Sequence, residues 1–250
     1  MNTLQQSPFW LETKPVFFPP SKLAMTEPDG LLAVGGDLTP EWLLMAYSKG
    51  IFPWFNPDDP ILWWSPNPRS VLYIDELKIK RSLRQSINKY YRDYEFEVTL
   101  DSDFPAVIKA CSKTPREGQT NTWITDQMLE AYCNMHKAGH AHSVEVWKNG
   151  ELVGGLYGIA LGKMFFGESM FSTSTDASKI ALVALSMQLK IWGFIAIDTQ
   201  VETDHLNSLG ASNITRDDFE SLIAKQIQQS FPPKTWHFEC DWRQQMLNHR

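Results

Sequence analysis

Two carboxylates occur in apolar segments that are typical of buried strands. Glu168 lies within the segment MFFGESMF, and Asp198 ends the segment FIAID. Because burying an isolated ionised carboxylate is costly, a charge at such a position is usually either paired or functional. In extended backbone Asp198 and Gln200 point to the same side of the strand. These groups could meet a cationic group of a substrate through charge-assisted hydrogen bonds.

The same carboxylates also have a structural explanation. Glu168 could form an ion pair with Lys179, and Asp198 could cap the turn that follows its strand. Carboxylates whose pKa is perturbed often have a structural rather than a catalytic role. The residue types alone therefore leave both explanations open.

A proline-rich segment, residues 50–72, carries several large aromatic rings. It contains five prolines, each of which fixes φ and removes a backbone donor. We therefore expect neither a helix nor a central strand in this segment. Its adjacent residues Trp63 and Trp64 should point opposite ways if the chain is extended. We expect both to pack at a domain interface.

A basic run, residues 78–92, contains six lysines and arginines and no acidic residue. Arg81 and Arg84 recur at helical spacing, and Leu83 and Ile87 lie on the other side, so an amphipathic helix is expected. The whole chain has a net charge of −6. One concentrated basic segment on an acidic protein indicates a polyanion that docks at one place. A solvated surface helix is the alternative.

Composition restricts the class of protein. The chain has 250 residues and 43% hydrophobic residues, which can support a real core. It has no apolar run of about 18 residues, so no membrane span is expected. The N-terminus lacks the pattern of a signal peptide. Three cysteines that are far apart and lack CxxC spacing indicate reduced thiols and a cytoplasmic location.

Two histidines have the spacing of a zinc-binding helix but not its other features. His136 and His140 are four residues apart, yet Gly139 ends that helix and Lys137 stands where such sites have a glutamate. A third ligand is not evident in the sequence. We therefore expect no metal site.

The secondary-structure pattern divides the chain in two. Residues 1–92 are rich in proline and aromatic residues and show one clear helix, capped by Thr39 and ended by Gly50. From residue 93 the pattern is regular, with a strand, a helix pair, further strands and a long helix. The turn Asn149–Gly150 between two alternating segments is a strong hairpin signal. We expect an α+β protein with a small irregular N-terminal domain, 1–92, and a larger domain, 93–250.

The element order of the larger domain resembles the fold of the N-acetyltransferase superfamily. Enzymes of that superfamily bind the pyrophosphate of coenzyme A on a glycine-rich turn at the N-terminus of the long helix. In this chain that turn is STSTDAS, residues 172–178, which has no glycine and places Asp176 where an anion would bind. We therefore expect an acyl transfer that uses no coenzyme A and no other cofactor.

A more specific resemblance extends from about residue 22 to about residue 220. Any one of its motifs is weak, but together and in the same order they resemble the leucyl/phenylalanyl-tRNA–protein transferase family. The resemblance implies transfer of Leu or Phe from leucyl-tRNA or phenylalanyl-tRNA to the N-terminal Arg or Lys of a protein, which marks that protein for degradation. The motifs are GLLAVGGDL, GIFPWF, ILWWSPNPR, TWIT, GHAHSVEVW, ELVGGLYG, GESMFS, ASK, and DTQ followed by DHLNSLGA.

The resemblance also implies a donor site. By similarity, Trp54 and Trp123 flank the terminal adenosine and the amino acid of the charged tRNA, where a flat surface allows stacking. Phe165 and Met170 line the pocket for the apolar side chain. Leu156 stands where the family often has methionine, so the preference between Leu and Phe is open.

The implied acceptor site contains the carboxylates. By similarity, Asp198 acts with Gln200 to orient the attacking amine and help to deprotonate it. Glu168 lies near the acceptor and serves binding and orientation.

The basic run supplies the expected tRNA contacts. Lys80, Arg81 and Arg84 form its densest part and should contact acceptor-stem phosphates.

Two rival functions use fewer of these features. A non-catalytic RNA-binding module needs the basic helix and the tryptophans but neither Asp198 nor Glu168. An acetyl-CoA-dependent N-acetyltransferase needs the anion-binding turn that this chain lacks.

Overall fold

The computed structural model describes residues 7–114, 124–230 and 235–249. These residues form the expected mixture of helices and strands, with eight α-helices and two sheets. The strands are β1 (Phe9–Leu11), β2 (Leu31–Gly35), β3 (Phe52–Pro53), β4 (Leu62–Trp64), β5 (Arg69–Tyr73), β6 (Phe96–Leu100), β7 (Ala141–Lys148), β8 (Glu151–Leu161), β9 (Met164–Ser172), β10 (Ala196–Gln200) and β11 (Ser212–Ile214). The helices are α1 (Pro40–Ser48), α2 (Arg81–Asp93), α3 (Phe104–Lys113), α4 (Asp126–Lys137), α5 (Ala177–Ile191), α6 (Asp204–Asn207), α7 (Arg216–Gln226) and α8 (Trp242–Asn248).

The smaller sheet has the strand order β1-β2-β4-β3. Its interior strand β4 comes from the proline-rich segment, so the prediction that this segment contains no central strand is wrong. Pro60 and Pro66 lie outside β4 and remove no donor from its ladder. Pro53 lies in β3, an edge strand, where a missing N–H group is tolerated.

The larger sheet has the order β11-β5-β10-β9-β8-β7-β6. Every neighbouring pair is antiparallel except β9 and β10, which are parallel. Strand β5 comes from the segment before residue 92 and pairs with both β10 and β11. The division at residue 92 stays a prediction, but the large sheet draws one interior strand from the N-terminal side of it.

Local sequence signals set several of these elements. Asn149 and Gly150 adopt φ of 52° and 77° and connect β7 to β8, which confirms the predicted hairpin. Thr125 accepts a hydrogen bond from the Met128 amide and caps α4, as predicted. The basic run forms α2, whose buried face carries Leu83 and two further apolar residues.

Two cores flank the large sheet. The first contains residues of α1, α3, α4 and the small sheet, and it joins both predicted domains, since Trp63 and Phe166 both belong to it. The second lies under α5, α2 and α8. Trp63 is fully buried, with its ring on Phe18 and Trp42, whereas Trp64 is half-buried. No helix in the described ranges is long and apolar enough to cross a membrane.

Candidate active site

The parallel pair β9 and β10 separates partway along its length. The two strands pair from Met164 with Ala196 to Phe166 with Asp198. Beyond this point β9 continues along β8 to Ser172, while β10 ends in a register shift against β5. We call the place where the strands part, after Phe166 and Asp198, the β9–β10 opening.

Glu168 lies at this opening in a β-bulge. Gly167 pairs with Gly158 and Ser169 pairs with Tyr157, so Glu168 has no residue opposite it on β8. A bulge redirects a side chain and is often found beside an active site. The carboxylate is directed towards the first core.

Two buried tyrosines hold the Glu168 carboxylate. Tyr47 of α1 and Tyr132 of α4 each donate a hydrogen bond of 2.7 Å to it, one to each oxygen, and their hydroxyls lie 2.5 Å apart. Burial raises the pKa of Glu168 to about 7, although the two hydroxyl donors act in the opposite direction. No local motif links α1 to α4, so these two tyrosines could not be identified from the sequence.

Asp198 is fully buried, and both of its carboxylate oxygens accept hydrogen bonds. Arg69 of β5 donates from Nε to Oδ1 at 2.8 Å and from Nη2 to Oδ2 at 2.7 Å. The third guanidinium nitrogen donates to the Gly50 carbonyl at 3.0 Å, and the rings of Phe52 and Phe219 lie over the guanidinium group. Arg69 is a further residue of this candidate site, and no motif in the sequence indicates it.

Gln200 ends β10 in an unusual conformation. Its φ is +56°, a region that non-glycine residues seldom adopt and that is enriched at functional sites. Its amide N–H donates to Asp198 Oδ1 at 3.0 Å, so Asp198 caps this turn, as the structural explanation predicted. The side chain is nearly buried, yet within the described chain its Nε2 atom has no hydrogen-bond partner. An unpaired buried donor is costly, so this amide is a candidate to bind substrate.

The other structural alternative is not observed. Lys179 pairs with Asp176 at 3.2 Å rather than with Glu168. Asp176 adopts φ of 61° and is the residue that precedes α5.

The predicted pocket residues lie on the opposite face of the sheet from Glu168. Leu156 and Met170 are directly opposite each other on β8 and β9. Together with Phe165 they face the second core, under α5. Leu156 and Phe165 are buried, whereas Met170, on the part of β9 that has left β10, is partly exposed. The β9–β10 opening therefore connects the two faces of the large sheet.

The predicted stacking residues are described only in part. Trp54 is 40% exposed, and its ring lies 5.6 Å from that of Trp64. The Trp64 indole donates to the Trp54 carbonyl, which fixes the loop. Trp54 lies two residues after Phe52, whose ring covers Arg69. Trp123 lies outside the described residues.

The predicted tRNA-binding residues differ in availability. Lys80 and Arg81 are exposed at the N-terminus of α2. The guanidinium nitrogens of Arg84 instead donate to the carbonyls of Ile79, Met246 and His249, at 3.2, 2.9 and 3.0 Å. Arg84 therefore ties α2 to α8, which differs from the phosphate contact expected from the sequence.

Comparison with known proteins gives consistent matches. The family model described as "Leucyl/phenylalanyl-tRNA protein transferase" matches residues 71–224, and the model of its N-terminal domain matches residues 36–67. A leucyl/phenylalanyl-tRNA–protein transferase of Hydrogenovibrio crunogenus is 63% identical over 240 residues, which are 96% of this chain and 92% of that one. One from Nitrosomonas eutropha is 54% identical over 228 residues, 91% and 95% of the two chains.

A solved structure is more distant. L-PGS from Bacillus licheniformis superposes with a TM-score of 0.40 and 11% identity, covering 78% of this chain and 64% of that one. A likeness at that level bears on neither fold nor function.

Proposed function

This chain belongs to the leucyl/phenylalanyl-tRNA–protein transferase family, and we propose that it carries out that family's reaction at the β9–β10 opening. The enzyme transfers leucine or phenylalanine from charged tRNA to the N-terminal arginine or lysine of a protein. The product has a new N-terminal Leu or Phe, which marks it for degradation. The observation that carries the assignment of the site is that Glu168, Asp198 and Gln200 come together where β9 leaves β10.

An N-acetyltransferase-like fold for residues 93–250 with β5 is part of the proposal. Support comes from the sheet, which is antiparallel except for the pair β9 and β10 that α5 connects. Asp176 and its partner Lys179 at the start of α5 offer no ready site for a pyrophosphate. The proposed donor is therefore charged tRNA and not coenzyme A, and the proposed location is the cytoplasm.

The donor is proposed to bind on the α5 face of the sheet. Helix α2 packs on this face through the second core, so Lys80 and Arg81 can hold the acceptor stem on the same side. Leu156, Phe165 and Met170 provide the apolar surface for the Leu or Phe side chain. Trp54 follows β3 of the small sheet, on the side of the first core, so the terminal adenosine that Trp54 and Trp123 are proposed to stack on lies at the opening itself rather than on the α5 face.

The acceptor is proposed to bind from the face that carries Glu168. Its N-terminal residue brings two cations, the α-amino group and the Arg or Lys side chain, and the ionised Glu168 carboxylate meets one of them. Tyr47 and Tyr132 act as positioning residues because they fix both carboxylate oxygens.

The reaction itself joins the two substrates directly. The α-amino nitrogen attacks the ester carbonyl carbon, a C–N bond forms, and the C–O bond to the ribose breaks. The ribose oxygen leaves with a proton that the amine gives up. A free α-amine has a pKa of about 7.7–8.0, so a sizeable fraction is already neutral near neutral pH. Holding the amine against the carbonyl is therefore the larger task of the protein.

Gln200 and Asp198 receive different roles in this proposal. The unpartnered Gln200 amide contacts the reacting groups, as a hydrogen-bond donor to the carbonyl oxygen that becomes negative. Asp198 is inaccessible behind Arg69, so it acts as a positioning residue that holds the strained Gln200 backbone. This differs from the expectation that Asp198 helps to remove the proton.

A mass-shift assay tests the proposed function. A peptide that begins with Arg is incubated with the protein and with phenylalanyl-tRNA, leucyl-tRNA or acetyl-CoA. We expect a gain of one Phe or Leu residue and no acetyl group, and Gln200→Ala should lower the rate by about 10²–10³-fold. Gln229→Ala, at an exposed glutamine elsewhere, serves as the matched control. A gain of acetyl, or tight tRNA binding with no transfer, would support one of the rival functions instead.

A further inference from the structure

We propose that Glu168 is the base of the transfer reaction. It takes a proton from the attacking amine and returns that proton to the ribose oxygen that leaves. Tyr47 and Tyr132 are positioning residues that support both protonation states of the carboxyl, and we call the three residues the Glu–Tyr–Tyr cluster. The inference rests on the proposed function and adds a catalytic role to the binding role of Glu168.

Of the two carboxyls described at the β9–β10 opening, Glu168 is the better placed to receive a proton. It is half-buried and lies in the bulge, on the face from which the acceptor is proposed to bind. Asp198 is fully buried, and Arg69 donates to both of its oxygens. A general base must lie within hydrogen-bond reach of the proton that it takes. Glu168 meets this condition without any movement of Arg69.

The Glu–Tyr–Tyr cluster is a closed set of three short oxygen–oxygen contacts. Each tyrosine hydroxyl lies 2.7 Å from a different oxygen of Glu168, and the two hydroxyls lie 2.5 Å apart. A phenol has one proton to donate. When Glu168 is ionised, Tyr47 and Tyr132 therefore supply two protons for three contacts, and the contact between the hydroxyls has no proton.

A proton on Glu168 completes the cluster. The carboxyl can then donate to one hydroxyl, this hydroxyl to the other, and the second hydroxyl to the remaining carboxyl oxygen. When the proton leaves, both hydroxyls still donate to the carboxylate through charge-assisted hydrogen bonds. Burial raises the pKa of Tyr47 and Tyr132 well above its ordinary value, so both hydroxyls stay protonated. The cluster thus supports both states, which a group that takes up and returns a proton requires.

The charged groups that face Glu168 act in opposite directions. Asp198 raises the pKa of Glu168 and Arg69 lowers it, and these two residues form an ion pair at 2.7 Å. On β8, Tyr157 packs against the ring of Tyr132. Burial is the largest influence and brings the pKa of Glu168 to about 7. A base works best when its pKa lies near the working pH.

The proton balance closes within the site. The neutral amine attacks the ester carbonyl carbon, the C–N bond forms, and one N–H proton passes to the Glu168 carboxylate. The C–O bond to the ribose then breaks, and the ribose oxygen takes this proton from Glu168. The carboxylate is ionised again at the end, so the step needs no further reactant. The proposed position of the terminal adenosine at the opening brings its ribose to the same place.

Glu168→Gln tests this role because it keeps the size of the side chain and cannot act as a base near neutral pH. The single-turnover rate is measured with bound phenylalanyl-tRNA and a saturating peptide that begins with Arg, between about pH 6 and about pH 9. At about pH 8 we expect a rate about 10²–10⁴-fold below that of the unaltered enzyme. Glu130→Gln, at an exposed position on α4, is the matched control.

The pH dependence distinguishes a base from a residue that only binds. Both proteins use the same amine, so the titration of the amine cancels in the ratio of the unaltered rate to the Glu168→Gln rate. This ratio should rise with pH and level off above about pH 7. Tyr47→Phe and Tyr132→Phe each remove a donor to the carboxylate, so their ratios should level off at a higher pH. Tyr94→Phe, on the side of the second core, should not move it.

Thermal unfolding checks that each variant is folded. A folded Glu168→Gln protein that raises only the KM for the peptide and keeps the saturated rate overturns the proposal. A rate ratio that does not depend on pH overturns it as well, since that result leaves Glu168 with a binding role only. If the unaltered protein transfers neither Leu nor Phe, the proposed function has failed, and this role fails with it.

Discussion

Glu168 has its acid–base equilibrium near neutral pH because of where the bulge places it. Burial raises its pKa to about 7 and outweighs the two tyrosine hydroxyls that favour the ionised form. The carboxyl is therefore partly protonated near neutral pH, where we propose that it binds a cation of the acceptor. An acceptor cation would favour the ionised form and so compensate part of the cost of burial.

The affinity for the acceptor should depend on pH. Only the ionised carboxylate attracts a cation, so the apparent KM for peptides beginning with Arg should fall as pH rises through about 7. A single titration at this pKa gives about a tenfold change between about pH 6 and about pH 8. Glu168→Gln should have a higher KM whose ratio to that of the unaltered enzyme grows with pH. Glu130→Gln, an exposed position on α4, should behave like the unaltered enzyme.

The same titration predicts the sign of a stability change. The folded pKa lies above that of the unfolded chain, so the folded state holds the proton more strongly between about pH 4.5 and about pH 7. The contribution of Glu168 to stability falls as pH rises through this window. Glu168→Gln should gain on the order of 1–3 kcal/mol relative to the unaltered protein between about pH 5 and about pH 8, as measured by chemical denaturation. A pH-independent difference between the two proteins would contradict the raised pKa.

At the scale of elements, the proline-rich segment uses its tryptophans in different ways. Trp63 lies in β4 and is fully buried against Phe18 and Trp42, whereas Trp54 follows the edge strand β3 and is 40% exposed. Trp64 supports Trp54 through its indole hydrogen bond. The loop therefore combines one core ring with one ring presented to solvent.

Alanine substitutions should separate these two uses. Trp63→Ala should destabilise the protein by about 3–5 kcal/mol, because it leaves a cavity in the core. Trp54→Ala should leave the unfolding temperature nearly unchanged and lower kcat/KM for charged tRNA by about 1–3 kcal/mol, or roughly 5–150-fold, through lost stacking. Thermal unfolding and transfer kinetics measured on both variants would show whether the effects divide in this way. Equal loss of stability in both would contradict the placement of Trp54.

The elements that local sequence determines were predicted correctly, and the missed ones depend on distant partners. Asn149–Gly150 and Thr125 act on their immediate neighbours, so the hairpin and α4 could be read from the sequence. Strand β4 is defined by pairing with β2 and β3, and no local pattern outweighed the prolines around it. Pairing with β10 likewise places β5 in the large sheet.

The site shows the same limit. Asp198 and Glu168 stood out because a charge among apolar residues is a local signal. Arg69 gave no such signal, since its partner is 129 residues away. Tyr47 and Tyr132 read as ordinary core residues until the fold placed both hydroxyls on one carboxylate.

At the scale of the whole molecule, Arg84 joins distant parts of the chain. It donates to the carbonyls of Met246 and His249, and the His249 ring bonds to the Leu77 carbonyl. The last described residues are thereby fixed to the segment that leads into the basic helix. Arg84, for which a phosphate contact stays a prediction, thus stabilises the surface to which we propose RNA binds.

Arg84 and Arg81 should therefore respond differently to replacement by alanine. Arg84→Ala should cost on the order of 2 kcal/mol in stability and expose α8 to limited proteolysis, because several charge-assisted hydrogen bonds are lost. Arg81→Ala should change stability by less than about 0.5 kcal/mol and lower the salt slope of tRNA binding by about 0.7–0.9. Denaturation and binding titrations of the two variants check this. If Arg84→Ala instead leaves stability unchanged and lowers the salt slope, the result would support the phosphate contact that was expected from the sequence.

The β9–β10 opening has a consequence for the order of events. Because the proposed donor and acceptor approach from opposite faces of one sheet, neither has to leave before the other arrives. Both substrates can be held in a ternary complex. The peptide bond can then form in a single displacement, without a covalent aminoacyl-enzyme intermediate. The sheet then separates the body of the tRNA from the acceptor protein, and the reacting amine and ester meet only at the opening.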